Sequence, residues 1–150
     1  MSRAFLDTGY VIALETSDDQ HHERAQEHWQ GFLRQQPRLV TTSYVFDEIV
    51  TFFNRRGRHA KAVEVGERLL GSASVEVIHV DEALFEAGWS YFQSRADKRY
   101  SLTDCISFVV MERAGIAAAL SFDRHFKQAG FKRVPEGGHG TRQKPIAALR

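Results

Sequence analysis

Short apolar runs alternate along this chain with longer stretches whose apolar residues recur every three to four positions. That alternation is the pattern of an α/β fold, with buried strands feeding amphipathic helices. Ala4-Phe5-Leu6 is apolar and stops at Asp7. Thr8 and Gly9 turn the chain, and Tyr10-Val11-Ile12-Ala13-Leu14 continues as an apolar helix. A polar helix is expected from Gln20 to Arg34, with Ala25, Trp29, Phe32 and Leu33 at helical spacing and Pro37 ending the segment. Arg38-Leu39-Val40-Thr41 reads as a second strand, and Thr42 or Ser43 can cap the helix after it. Val45, Ile49, Phe52 and Phe53 form the apolar stripe of that helix. Beyond Gly57 a further helix runs through Ala62, Val65, Leu69 and Leu70 to Gly71.

The second half repeats the grammar. Residues 74–80 read as a third strand, and Asp81 opens a helix with Leu84, Phe85, Trp89 and Phe92 on its apolar face. Ser101-Leu102-Thr103-Asp104 opens another, whose apolar residues Phe108, Val109, Met111 and Ala114 lie almost all round, so it should be buried. Residues 116–121 form a fourth strand after Gly115, with Phe122-Asp123 at its carboxyl end. Phe131-Lys132-Arg133-Val134 is a weak fifth strand. From Pro135 the periodicity fades, and residues 135–150 read as a mobile or loosely docked tail behind a single domain of residues 1–134.

Composition narrows the class. A length of 150 residues suits one domain, and 43% hydrophobic content with 11 Phe suits a packed core. The net charge of +1 gives no global basic field, so nucleic-acid binding has to come from local patches. Cys105 is the single cysteine, which excludes an internal disulfide and a multi-cysteine zinc site and fits a reducing cytoplasm. No secretory leader and no membrane-length apolar run is expected.

Acids sit where strands end and helices begin. Asp7 and Asp123 close strands, Asp104 starts the buried helix, and Glu48 sits in the helix after the second strand. Each has a local explanation. Asp7 and Asp123 can cap the helices that follow them, and Ser101 with Asp104 matches a capping box in its shorter-acid form. In the Asp47-Glu48 pair the helical wheel decides. At about 100° per residue, Glu48 falls between Tyr44 and Phe52 on the shoulder of the apolar face, and Asp47 falls with Thr51 and Asn54 on the wet face. In a parallel sheet the strand ends and helix starts share one rim, so the four acids can meet there. Carboxylates at about 5 Å repel by roughly 3 kcal/mol per pair at an effective dielectric near 20, so convergence calls for protons or cations. An all-oxygen donor set suits Mg²⁺ or Mn²⁺, and such a site suits metal-dependent nuclease chemistry.

Two other features admit two readings. Arg55, Arg56, Arg58, His59 and Lys61 surround Gly57. They can complement a helix C-terminus or contact phosphates. His21, His22 and His28 can bind metal or simply face solvent, and the solvated surface is expected.

The segments Phe5-Leu6-Asp7-Thr8-Gly9, Thr41-Thr42-Ser43-Tyr44-Val45-Phe46-Asp47-Glu48, Leu102-Thr103-Asp104-Cys105 and Leu120-Ser121-Phe122-Asp123-Arg124-His125-Phe126 resemble the motifs of the PIN-domain ribonucleases. They are most similar to the VapC-type toxins of toxin–antitoxin pairs, over about residues 3–134. The resemblance implies a five-stranded parallel sheet of order 3-2-1-4-5 flanked by helices. It places Asp7, Glu48, Asp104 and Asp123 at the family's acidic positions, holding Mg²⁺ or Mn²⁺, with Thr8 and Ser121 as supporting polar residues. It implies hydrolysis of RNA, a small antitoxin partner and a tendency to homodimerise. It assigns no role to the tail or to the three histidines. An aspartyl phosphotransferase would need an acid where Gly9 stands, and a phosphoacceptor receiver domain would need an acidic pair after its first strand. The non-enzymatic alternative is a PIN-like module that binds RNA or protein without cutting.

Overall fold

The computed structural model describes residues 3–136 of the 150. Five strands form one parallel sheet of order β3-β2-β1-β4-β5. They are β1 (Arg3–Leu6), β2 (Arg38–Thr42), β3 (Val75–Ile78), β4 (Ala118–Leu120) and β5 (Lys132–Val134). The helices are α1 (Thr8–Glu15), α2 (His22–Leu33), α3 (Ser43–Arg55), α4 (His59–Gly71), α5 (Glu82–Gln93), α6 (Leu102–Ala114) and α7 (His125–Gln128). Every element expected from hydrophobic spacing is present, with ends displaced by a few residues. Strand β4 is shorter than its apolar run because only Ala118, Ala119 and Leu120 pair with neighbours, as far as the ends of β1 and β5 allow.

Register sets the rim. Phe5 pairs with Val40 on one side and Ala119 on the other, and Leu6 pairs with Leu120. Asp7 and Ser121 therefore leave adjacent strands at the same level. The sheet reverses its order of filling between β1 and β4, and that is where an open α/β sheet leaves a crevice at its carboxyl edge.

The core explains the burial of α6. Residues 104–111 of that helix are all buried, with Ile106, Phe108 and Met111 fully enclosed. Helix α5 packs closely on it through Gly88, where a Cβ would overlap the Ile106 side chain. Gly115 ends α6 at φ 68°, a left-handed conformation that glycine adopts without a Cβ penalty. Phe5, Phe108 and Phe126 carry the aromatic packing between sheet and helices, with centroid distances of 5.1–6.1 Å.

The row of solvated histidines is not found. His21, His22 and His28 are half-buried, and each has a specific partner. The Nδ1 of His22 bonds the Ala13 carbonyl at 2.7 Å, and His28 Nδ1 and the Tyr10 hydroxyl are 2.8 Å apart. His21 stacks on Phe122 at 4.2 Å between centroids. These contacts tie α2 and the residue before it to α1 and to the β4 exit, so the three histidines serve packing and not a solvated face. Among the described residues none of the three joins a group of potential metal donors. The tail expected over 135–150 lies outside the described residues except for Pro135 and Glu136, whose carbonyl accepts from Arg24 Nη2 at 2.9 Å.

Candidate active site

Asp7, Glu48, Asp104 and Asp123 all line one cleft of about 470 Å³ at the carboxyl edge of the sheet. Thr8, Gly9, Arg99, Ser101, Phe122 and His125 complete its wall. Asp47 lies outside it, exposed and accepting from Thr51 Oγ1 at 3.3 Å.

Asp7 is held by the neighbouring strand. It precedes α1 but makes no capping hydrogen bond with its side chain. Its Oδ2 accepts from Ser121 Oγ at 2.8 Å, and that same hydroxyl accepts from the Asp123 backbone N–H at 2.9 Å. Ser121 thus joins the ends of β1 and β4 in one hydrogen-bonded unit. Burial pushes the Asp7 carboxyl up to about 7, with the charges of Asp104 and Asp123 adding to the shift and the Ser121 bond opposing it. A carboxylate buried beside two others is a poor choice for stability alone.

Asp104 is both cap and cleft residue. The capping box is complete: Ser101 Oγ accepts from Asp104 N at 2.9 Å, and Asp104 Oδ2 accepts from Ser101 N at 3.1 Å. The same Oδ2 lies 3.1 Å from His125 Nδ1. Burial raises the Asp104 pKa, and Asp123 raises it further. Asp123 accepts from the His125 backbone N–H at 2.9 Å, the local bond expected of a helix-start residue. Glu48 keeps an exposed flank, yet desolvation by its surroundings raises its pKa, with Asp104 and Asp47 adding repulsion. Its Oε1 accepts from Thr8 Oγ1 at 2.6 Å, so the residue after the first acid anchors the second.

Two cleft residues with charge or nitrogen donors, Arg99 and His125, are not among the site residues expected from the sequence. Arg99 lies in the short stretch Lys98-Arg99-Tyr100 ahead of Ser101, outside every matching motif, and His125 is a member of the last motif. Position relative to Asp123 was the available signal for His125, since a side chain two residues past a strand-end acid can fold back onto it. Arg55, Arg56 and Arg58 do not line the cleft. Arg55 lies in the last turn of α3, the Arg56 guanidinium covers the Phe52 ring at 3.8 Å, and that of Arg58 lies 5.7 Å from the Phe53 ring.

A parallel sheet whose strand ends and helix starts bring four acids into one cleft is the architecture of a PIN domain. The PIN domain family model matches residues 4–132, and the chain belongs to that family. It is 35% identical over 130 residues to the 23S rRNA-specific endonuclease VapC20 of Mycobacterium tuberculosis, in both strain CDC 1551 / Oshkosh and strain ATCC 25618 / H37Rv. The match covers 87% of this chain and 96% of that protein. The fold is similar to the crystal structure of M. tuberculosis VapC20, described as a sarcin-ricin loop cleaving toxin, with a TM-score of 0.78, 34% identity, and coverage of 87% of this chain and 96% of that one.

Proposed function

We propose that this chain is an endoribonuclease that hydrolyses RNA phosphodiester bonds with Mg²⁺ or Mn²⁺, and that it is the toxin of a toxin–antitoxin pair. The carrying observation is the convergence of Asp7, Glu48, Asp104 and Asp123 on one cleft, with three of them raised in pKa by burial and by each other. That donor set fits a divalent ion. Hard carboxylate oxygens suit Mg²⁺ and Mn²⁺, and a cation reverses the repulsion that raises these pKa values. Asp7, Glu48, Asp104 and Asp123 would hold the ion, which when bound supplies a water acidic enough to attack at neutral pH and offsets charge on the phosphate oxygens. Ser121 sets the rotation of Asp7 and the backbone at Asp123, and Thr8 sets Glu48. Arg99, the cation on the cleft wall, attracts the RNA phosphate to an otherwise acidic surface.

The likeness to VapC20 supports 23S rRNA as the first substrate to test. The test is cleavage of that RNA by metal-free protein with and without added ions. Mn²⁺ or Mg²⁺ is expected to restore activity, and Ca²⁺ to restore little, because its longer bonds and higher coordination loosen the geometry. Undiminished cutting after exhaustive EDTA treatment would refute metal dependence. Binding without cutting under every ion would favour a PIN-like module that only recognises RNA.

Partners follow from two surfaces. An apolar groove of about 400 Å³ between α3 and α4, lined by Phe46, Val50, Ala62, Val63 and Leu70, suits the apolar segment of a small antitoxin. Exposed Phe85, Trp89 and Phe92 on α5 suit self-association as a homodimer. No helix among the described residues is long and apolar enough to cross a membrane, and action on rRNA would place the protein in the cytoplasm.

Arg55, Arg56 and Arg58 are assigned to the outer RNA path. Arg55 lies seven positions beyond Glu48 along α3, a rise of about 10 Å, so a strand crossing the cleft can reach both. Replacing all three arginines with Gln is expected to weaken RNA binding across sequences. It should also flatten the salt dependence, by about 0.7 in log–log slope per lost contact on single strands. An unchanged slope would leave these residues as helix-end and ring-stacking groups only.

A further inference from the structure

His125 stands apart from the acids of the cleft because it brings nitrogen to an oxygen site. Its Nδ1 lies 3.1 Å from Asp104 Oδ2 and 3.3 Å from Asp123 Oδ1. Neighbouring donors of an octahedral ion with bonds of about 2.1 Å lie about 3.0 Å apart. One donor atom from each of Asp104, Asp123 and His125 already falls within 4.8 Å of the other two. Both distances from the imidazole nitrogen match that spacing, and the Asp104 and Asp123 carboxylates offer donor atoms within 4.8 Å of each other.

The imidazole is held in place. Its backbone N–H bonds Asp123 Oδ1 at 2.9 Å, and the preceding turn is tied through the Asp123 N–H to Ser121 Oγ at 2.9 Å. The ring packs edge-on to Tyr100 at 5.3 Å and 77°, and Tyr100 in turn packs edge-on to Phe108 in the core. Its side chain is 18% exposed, so the ring has little room to swing away. One ring nitrogen faces both carboxylates, at the separation that shared coordination requires.

We infer that His125 is a nitrogen donor to the divalent ion, together with Asp104 and Asp123, and that it biases the cleft toward Mn²⁺ over Mg²⁺. Imidazole suits transition ions, whereas Mg²⁺ keeps to oxygen and water. The inference rests on the cleft being a metal site and names which ion it prefers.

Pulsed electron paramagnetic resonance of Mn²⁺ bound to the full chain reads the ligand directly. The parent protein should show hyperfine coupling to a directly bound nitrogen, and His125→Asn should lose it. Labelling histidine with the heavy nitrogen isotope should change the coupling in the parent, which keeps the test decisive if the variant folds poorly. In titration calorimetry His125→Asn should weaken Mn²⁺ by about tenfold or more, while Mg²⁺ affinity changes little. Bound Mn²⁺ with no nitrogen coupling in the parent would overturn the inference and leave His125 as a hydrogen-bond partner of two acids. So would a coupling that survives in His125→Asn. Nitrogen-coupled Mn²⁺ in a protein that cuts no RNA would support the inference while defeating the nuclease reading.

Discussion

Glu48→Gln is expected to lower RNA cleavage by roughly a hundred- to a thousandfold, while Asp47→Asn stays within a few-fold of the parent. The two acids are adjacent in sequence and differ in what the helix does with them. Glu48 lines the cleft and takes a 2.6 Å bond from Thr8, whereas Asp47 faces solvent beside Thr51. Gln keeps an oxygen for Thr8 to bond, so the shape survives and only the charge is removed. Single-turnover cleavage of a 23S rRNA fragment, with matched melting curves, checks both variants. If Asp47→Asn were the dead variant, the assignment of Glu48 to the site would fall.

Asp7→Asn is expected to be inactive, yet more heat-stable than the parent without metal above neutral pH. Burial raises the Asp7 pKa from 3.8 to about 7, so the folded protein holds that proton more tightly than the unfolded chain. The associated stability is fully present below pH 4 and is lost as pH rises through about 7. Between pH 5 and 7 the loss amounts to about 2 kcal/mol, since the slope of 1.36 kcal/mol per unit falls off as Asp7 ionises near 7. In a chain of this size that lowers the melting temperature by roughly 4–8 °C. The parent in EDTA should therefore melt well below its acid-side value at pH 8, and Asp7→Asn should flatten that fall. Added Mn²⁺ should raise the parent's melting temperature by mass action and the variant's much less. Parallel pH curves for the two proteins would show that Asp7 does not carry the strain of the site.

Two of the explanations first open for the acids held together. Asp104 completes its capping box and still lines the cleft, because one carboxylate has lone pairs enough for Ser101 N and His125 Nδ1. For Asp7 the capping explanation fails. Ser121, 114 residues away in sequence, takes the carboxylate instead. Capping is a local rule and can be read from neighbouring residues. Competition from a distant strand cannot.

The sequence by itself determined the elements and the side of α3 that faces the cleft. Short apolar runs and apolar spacing of three to four residues are local properties of the chain, and so is the wheel that separates Glu48 from Asp47. It also placed Asp7 and Asp123 at strand ends, from which a shared rim follows for any parallel sheet. The strand order came only through resemblance to a family, since periodicity does not say which strands are neighbours. The tertiary structure alone decided that Ser121 bridges Asp7 and Asp123 and that Arg99 reaches the cleft. It also decided that His125 meets two acids while Arg56 and Arg58 lie over phenyl rings. Those outcomes depend on register across the sheet and on which side chains crowd a common space. Residue types and spacings do not encode either one locally.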